Sequence, residues 1–136
     1  MTSLHQSASS ILVVEDDFAI REALTEFLEE EGYLIVGAAN GLEALAYLRT
    51  APQPALILLD LRMPVMNGQQ FLAAQSHVRA LASTPVVLLS ADRSTDQRVV
   101  APNVVGYLDK PVRLAELLQV VEQYCNPAAT KSAGWQ

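Results

Sequence analysis

A chain of 136 residues, 51% apolar and 18% charged, has the composition of one globular domain long enough to bury a core. Its net charge of −6 excludes the dense Lys/Arg surface that a phosphate-backbone binder needs, so no direct nucleic-acid partner is expected. No apolar run approaches the roughly 18 residues of a membrane span. The N-terminus lacks a basic start and an apolar centre, and lone Cys125 leaves no internal disulfide framework, so a cytoplasmic protein is expected.

Apolar runs alternate with helix-period segments along the chain. Residues 1–9 are expected to form a loose tail, followed by a strand over Ile11–Val14 and the acidic run Glu15-Asp16-Asp17. The first helix carries Ile20, Ala23, Leu24, Phe27 and Leu28 on one face and Glu22, Glu26, Glu29 and Glu30 largely on the other, with Gly32 as its stop. A strand over Leu34–Ala38 leads through Asn40-Gly41 to a second helix with Leu42, Leu45, Ala46 and Leu48 apolar. The strand Ala55–Leu59 precedes Asp60, and a third helix begins near Asn67-Gly68 and runs to about Val78. After the strand Pro85–Leu89, only Ser94–Val100 suits a helix before Pro102, so the fourth helix is short. The strand Val104–Leu108 is followed by a last helix with Leu114, Leu117, Leu118 and Val121 at i, i+3, i+4, i+7 spacing. Residues 126–136 are expected to form a second loose tail, leaving one domain over 10–125.

Three of the strands are near-continuously apolar, as expected where both faces of a parallel sheet are covered. The repeated βα unit therefore predicts a doubly wound α/β fold with five parallel strands and helices on both faces.

In such a sheet, ligands bind beyond the carboxyl ends of the strands. Glu15, Asp16, Asp60, Ser90 and Lys110 all emerge there. Converging carboxylates repel unless a cation lies among them. An all-oxygen donor set with no nearby His or Cys favours Mg²⁺ over Zn²⁺. Carboxylate, divalent cation, ammonium and hydroxyl together suit phosphoryl transfer, and an aspartate can itself become an acyl phosphate. Taken singly, these residues have plainer uses: Asp60 and Ser90 would cap or bond a loop, and Lys110 would be a surface lysine. Asp17 is assigned to capping the first helix. His5 and His77 are expected to face solvent, Cys125 to be half-buried, and Trp135 to lie in the tail.

The segments Ile11-Leu12-Val13-Val14-Glu15-Asp16-Asp17, Leu58-Leu59-Asp60-Leu61-Arg62-Met63-Pro64-Val65-Met66-Asn67-Gly68, Leu88-Leu89-Ser90-Ala91 and Tyr107-Leu108-Asp109-Lys110-Pro111 occur in this order. Together they resemble the receiver domain of two-component response regulators, over roughly residues 10–125. The resemblance implies a flavodoxin-like sheet of strand order 2-1-3-4-5. It implies that Asp60 accepts a phosphoryl group from a phosphohistidine of a sensor histidine kinase or a histidine phosphotransfer protein. It assigns Mg²⁺ to Glu15, Asp16, Asp60 and the backbone carbonyl of Arg62, and it pairs Lys110, ahead of a cis bond to Pro111, with the phosphoryl group. Ser90 and Tyr107 would form the switch. The resemblance implies a signalling switch or phosphorelay component rather than a turnover enzyme, with an unidentified downstream protein and either a monomer or a phosphorylation-dependent homodimer.

Eleven residues after Cys125 are too few for an output domain, so a stand-alone receiver is expected. The Ser90–Lys110 stretch is shorter than is usual in the family, which trims the surface often used for dimerisation. A pseudo-receiver would lack an acid, the lysine or the hydroxyl, and all are present. An aspartyl phosphatase needs an acid two residues past its nucleophile, where Arg62 stands and cannot donate a proton near neutral pH. Arg62 and Asp92 are expected to meet over the pocket mouth and slow hydrolysis of the acyl phosphate. Arg62→Ala should then shorten the half-life of the phosphorylated form, measured by loss of radiolabel; an unchanged or longer lifetime would reject the pair.

Overall fold

The computed structural model describes residues 10–50, 52–78, 81–91 and 101–125. The elements run β1 (Ser10–Val14), α1 (Phe18–Glu30), β2 (Leu34–Ala38), α2 (Gly41–Thr50), β3 (Leu56–Asp60), α3 (Gly68–Ser76), β4 (Val86–Ser90), β5 (Val104–Asp109) and α4 (Leu114–Tyr124). All five strands are parallel, in the order β2-β1-β3-β4-β5. This is the doubly wound sheet expected from the alternation. The short helix expected over 94–100, together with Asp92, His5, Trp135 and both tails, lies outside the described residues.

Strand side chains alternate between faces, and the two core layers follow that parity. Leu12, Val14, Ile57, Leu59, Val86 and Leu88 meet Ala44, Leu45 and Leu48 of α2 and Phe71 and Leu72 of α3. On the opposite face Ile11, Val13, Leu56, Leu58, Val87 and Leu89 meet Leu24 and Leu28 of α1 and Leu117 and Val121 of α4. Every side chain of β3 and β4 is buried, which explains why those runs read as continuously apolar.

Strand ends differ from expectation by about one residue because backbone pairing, not side-chain polarity, carries the ladder. Asp60 pairs with Leu89 and Ser90 with Asp109, so polar residues close these strands from within. Helix faces also shift. Ala23, Leu42, Ala46 and Leu114 were expected on buried faces and are exposed. In α2 the buried stripe is Gly41, Ala44, Leu45 and Leu48, a true i, i+3, i+4, i+7 set that leaves Leu42 one step outside it. α3 ends at Ser76 rather than near Val78. Gly32, with φ of 100°, ends α1 in a conformation that suits glycine.

Cys125 caps α4 and is buried rather than half-buried. Burial pushes its thiol from 9.0 up to about 12. The unfolded thiol ionises first, so this residue's contribution to stability is intact below pH 9.0 and is lost as pH rises toward about 12. The native protein should therefore resist iodoacetamide at pH 8 at a rate set by opening, and react fully in urea. Rapid native alkylation would contradict that burial.

Candidate functional site

Residues two apart on a strand share a face, so Ile11, Val13 and Glu15 line up on one strand and Leu56, Leu58 and Asp60 on its neighbour. The β1–β3 register pairs Val14 with Leu59, placing Glu15 and Asp60 side by side one step beyond it. Both are buried, while Asp16 is exposed. One carboxylate oxygen from each of Glu15, Asp16 and Asp60 can be chosen so that the three lie within 4.8 Å of one another.

Lys110 directly follows β5, two strands away from β3, and reaches both buried acids. Its Nζ lies 2.9 Å from Glu15 Oε1 and 3.1 Å from Asp60 Oδ2. The Asp60 contact is a hydrogen bond, whereas Glu15 Oε1 is held as an ion pair with no aligned hydrogen bond. Glu15 Oε2 accepts from the Asp17 backbone N–H at 3.1 Å, and Asp60 Oδ1 accepts from the Arg62 N–H at 3.1 Å. Burial raises the Glu15 carboxyl above its ordinary range, against the lowering effect of Lys110 and the Asp17 amide, with the Asp60 charge adding to the rise. Burial alone would lower Lys110, but its close contacts with the Glu15 and Asp60 carboxylates outweigh that and raise it. Lys110 is thus a charged, shared partner, and the buried Glu15 oxygen keeps lone-pair capacity that no hydrogen bond uses. Together with the all-oxygen donor set, that spare capacity fits a hard divalent cation.

Ser90 ends β4 and is buried, and its carbonyl accepts the Lys110 backbone N–H at 2.8 Å. Tyr107 is half-buried against the core on the α2 and α3 side. The Lys110–Pro111 peptide is cis, as the resemblance implied. Arg62 is exposed. His77 faces solvent as expected, and Asp17 caps α1 by accepting from Ile20 N–H at 3.1 Å.

The loop after Asp60 is held by contacts that sequence patterning did not single out. Asn67 caps α3 in a reciprocal box with Gln70. Gly68 donates to the Leu61 carbonyl at 3.1 Å, and a Cβ there would stand 2.8 Å from Leu61 Cα and 2.9 Å from the Asp60 carbonyl oxygen. Gly41 likewise donates to the Met66 carbonyl, tying α2 to the same loop. Met66 N–H reaches back to the Pro64 carbonyl at 2.7 Å across Val65, whose φ is 68°. This is a γ-turn with a β-branched residue in a disfavoured conformation. Val65 is 73% exposed, so its side chain gives little burial in return. Val65→Asn should stabilise the protein by about 1 kcal/mol in urea unfolding; a loss would mean that the valine has a packing role.

The family model for the response regulator receiver domain matches residues 11–122. The probable transcriptional regulator ycf29 of Pyropia yezoensis is 34% identical over 130 residues, covering 93% of this chain and 57% of that protein. The chain spans about half the length of several other transcriptional regulators that it matches. Chemotaxis response regulator CheY4 of Vibrio cholerae is 30% identical, with a TM-score of 0.75 over 85% of this chain and 98% of that one. Response regulator protein TrrA of Thermotoga maritima, in complex with Mg(2+)-BeF, is 31% identical with a TM-score of 0.75, again covering 85% of this chain and 98% of that one. Among the described residues no helix is long and apolar enough to cross a membrane.

Proposed function

The chain belongs to the response regulator receiver domain family, and from that premise we propose that Asp60 is the phosphoacceptor of a phosphorylation-driven signalling switch. The observation that carries this reading is the placement of Asp60: a buried carboxylate at the end of β3, beside Glu15 and bonded to Lys110. One Asp60 carboxylate oxygen attacks the phosphorus of a phosphohistidine. The new O–P bond forms as the P–N bond breaks, and the imidazole leaves with the electron pair. The donor is a sensor histidine kinase or a histidine phosphotransfer protein.

Glu15, Asp16, Asp60 and the Arg62 backbone carbonyl would hold Mg²⁺, which when bound neutralises charge on the phosphoryl oxygens. Lys110, already paired with Asp60, is placed to take up the negative charge that the phosphoryl group adds. Ser90 supplies a hydroxyl at the end of the neighbouring strand. Its movement toward the phosphoryl group, with Tyr107 following from its half-buried position, would alter the β4–β5 side of the surface for protein output or relay. A cytoplasmic setting goes with this reading, as does the absence of turnover on small substrates.

Intact mass after incubation with Mg²⁺ and acetyl phosphate tests the proposal, beside an Asp60→Asn control and an EDTA control. One phosphoryl group per chain, absent from both controls, is expected. An adduct that survives Asp60→Asn would move the acceptor elsewhere. No adduct, together with no Mg²⁺ binding, would reject the switch.

A further inference from the structure

Arg21 is the first Lys or Arg in the chain, and the next is Arg49, so it sits alone among Glu15, Asp16, Asp17, Glu22, Glu26 and the acids that follow. A solvated arginine in such company would simply pair with a neighbouring carboxylate. Instead its Nη1 reaches back six residues and donates to the Glu15 backbone carbonyl at 2.6 Å. The side chain is half-buried. The guanidinium lies 5.5 Å from the centroid of the exposed Phe18 ring, within cation–π reach. Its stem crosses β2 over Gly37, where an added Cβ would stand 3.2 Å from Arg21 Cδ.

We propose that Arg21 is a positioning residue for the cation-binding edge, acting through the Glu15–Asp16 peptide; the proposal rests on the Mg²⁺ site described above. The Glu15 carbonyl and the Asp16 N–H belong to one planar unit. Fixing that oxygen fixes the plane in which the Asp16 Cα lies, and Asp16 is the exposed acid of the cluster. The rest of the turn is already fastened. Glu15 N–H bonds the Ala38 carbonyl at 3.0 Å, Asp17 N–H bonds Glu15 Oε2, Ile20 N–H bonds Asp17 Oδ1, and Arg21 N–H bonds the Asp17 carbonyl at 2.9 Å. Arg21 therefore closes the turn through both its backbone and its side chain. Gly37 keeps the path of that side chain open.

The test is Mg²⁺ titration by calorimetry into the EDTA-treated full chain, with the folded state of each variant checked by circular dichroism. Arg21→Gln should weaken Mg²⁺ about tenfold. Arg21→Lys, which keeps the charge but not the planar fork, should recover part of that loss. Gly37→Ala leaves Arg21 in the chain and displaces only its stem, so it should weaken Mg²⁺ alone but add nothing in the Arg21→Gln background. Wild-type Mg²⁺ affinity in a folded Arg21→Gln protein would overturn the proposal while leaving the phosphoacceptor reading intact. So would a lowered urea midpoint with unchanged affinity, or a Gly37→Ala effect that persists without Arg21. If Arg21→Gln does not fold, Arg21→Met, which keeps the apolar stem but has no donor, decides alone, and wild-type affinity there overturns the proposal. If the unmodified protein shows no Mg²⁺ saturation, the site reading fails and the role of Arg21 fails with it.

Discussion

Gly68→Ala is expected to destabilise the protein by about 2 kcal/mol and to slow phosphorylation at Asp60 in the same variant. The added methyl would stand 2.8 Å from Leu61 Cα and 2.9 Å from the Asp60 carbonyl oxygen. Two of its neighbours are backbone, so the clash is not relieved by rotating a side chain. Overpacking of this kind costs about 3 kcal/mol at its upper end, and the better helix propensity of alanine returns at most about 1 kcal/mol. The steric cost wins. Relief requires the N-terminus of α3 to move off the end of β3, which breaks the Gly68 N–H bond to Leu61 and shifts the backbone that carries Asp60. Urea unfolding and the rate of acetyl-phosphate labelling check the two halves. An unchanged midpoint would mean that the helix start is free to slide.

Lys110→Ala should cost about 3 kcal/mol in EDTA, since removing one partner of a buried ion pair leaves uncompensated charge. Here two buried carboxylates are left, Glu15 and Asp60, each within 3.1 Å of the lost ammonium. The Lys110 side chain is 19% exposed, which keeps the loss at the low end of the range. The pH dependence has a definite sign. Burial already raises the Glu15 carboxyl from 4.5, and losing Lys110 removes a lowering influence. A carboxyl raised in the folded state lowers stability as pH rises from its unfolded value through its folded value. The deficit of the variant should therefore be small near pH 4.5 and largest from neutral pH up to 10.5. In the parent protein Lys110 is itself raised from 10.5, so its contribution is complete below that value and is lost as pH rises through its folded one. Mg²⁺ should restore much of the stability of Lys110→Ala by neutralising the same carboxylates. A deficit independent of pH and of Mg²⁺ would assign Lys110 a packing role instead.

The acids, the lysine and the serine of the site were legible because each ends an apolar run, and parallel strands deliver their ends to one edge. The helix faces were less so. Leu42 and Leu114 satisfied an apolar count and yet lie exposed, because helix rotation depends on where the helix docks. Gly68 read as a helix start when it is also a close approach to the acceptor loop. Arg21 carried a signal, a lone cation in a long acidic stretch, but nothing in its spacing indicated that it bonds a carbonyl six residues back. Cys125, expected to be half-buried, is buried against the α1 and α4 layer.

Alternating strand and helix periodicity, set by local burial pattern, determined the parallel sheet and the edge where the polar residues gather. Only the tertiary structure decided which of those residues touch. The Lys110 contact with Glu15 and Asp60 joins parts of the chain nearly a hundred residues apart at its widest. So does the packing of Ile11 and Val13 against Leu24 and Leu28 of α1 and Leu117 and Val121 of α4. Periodicity fixes a segment's conformation because it depends on neighbours along the chain. Distances between side chains depend on register and helix docking, which arise only when separate segments compete to fill one core.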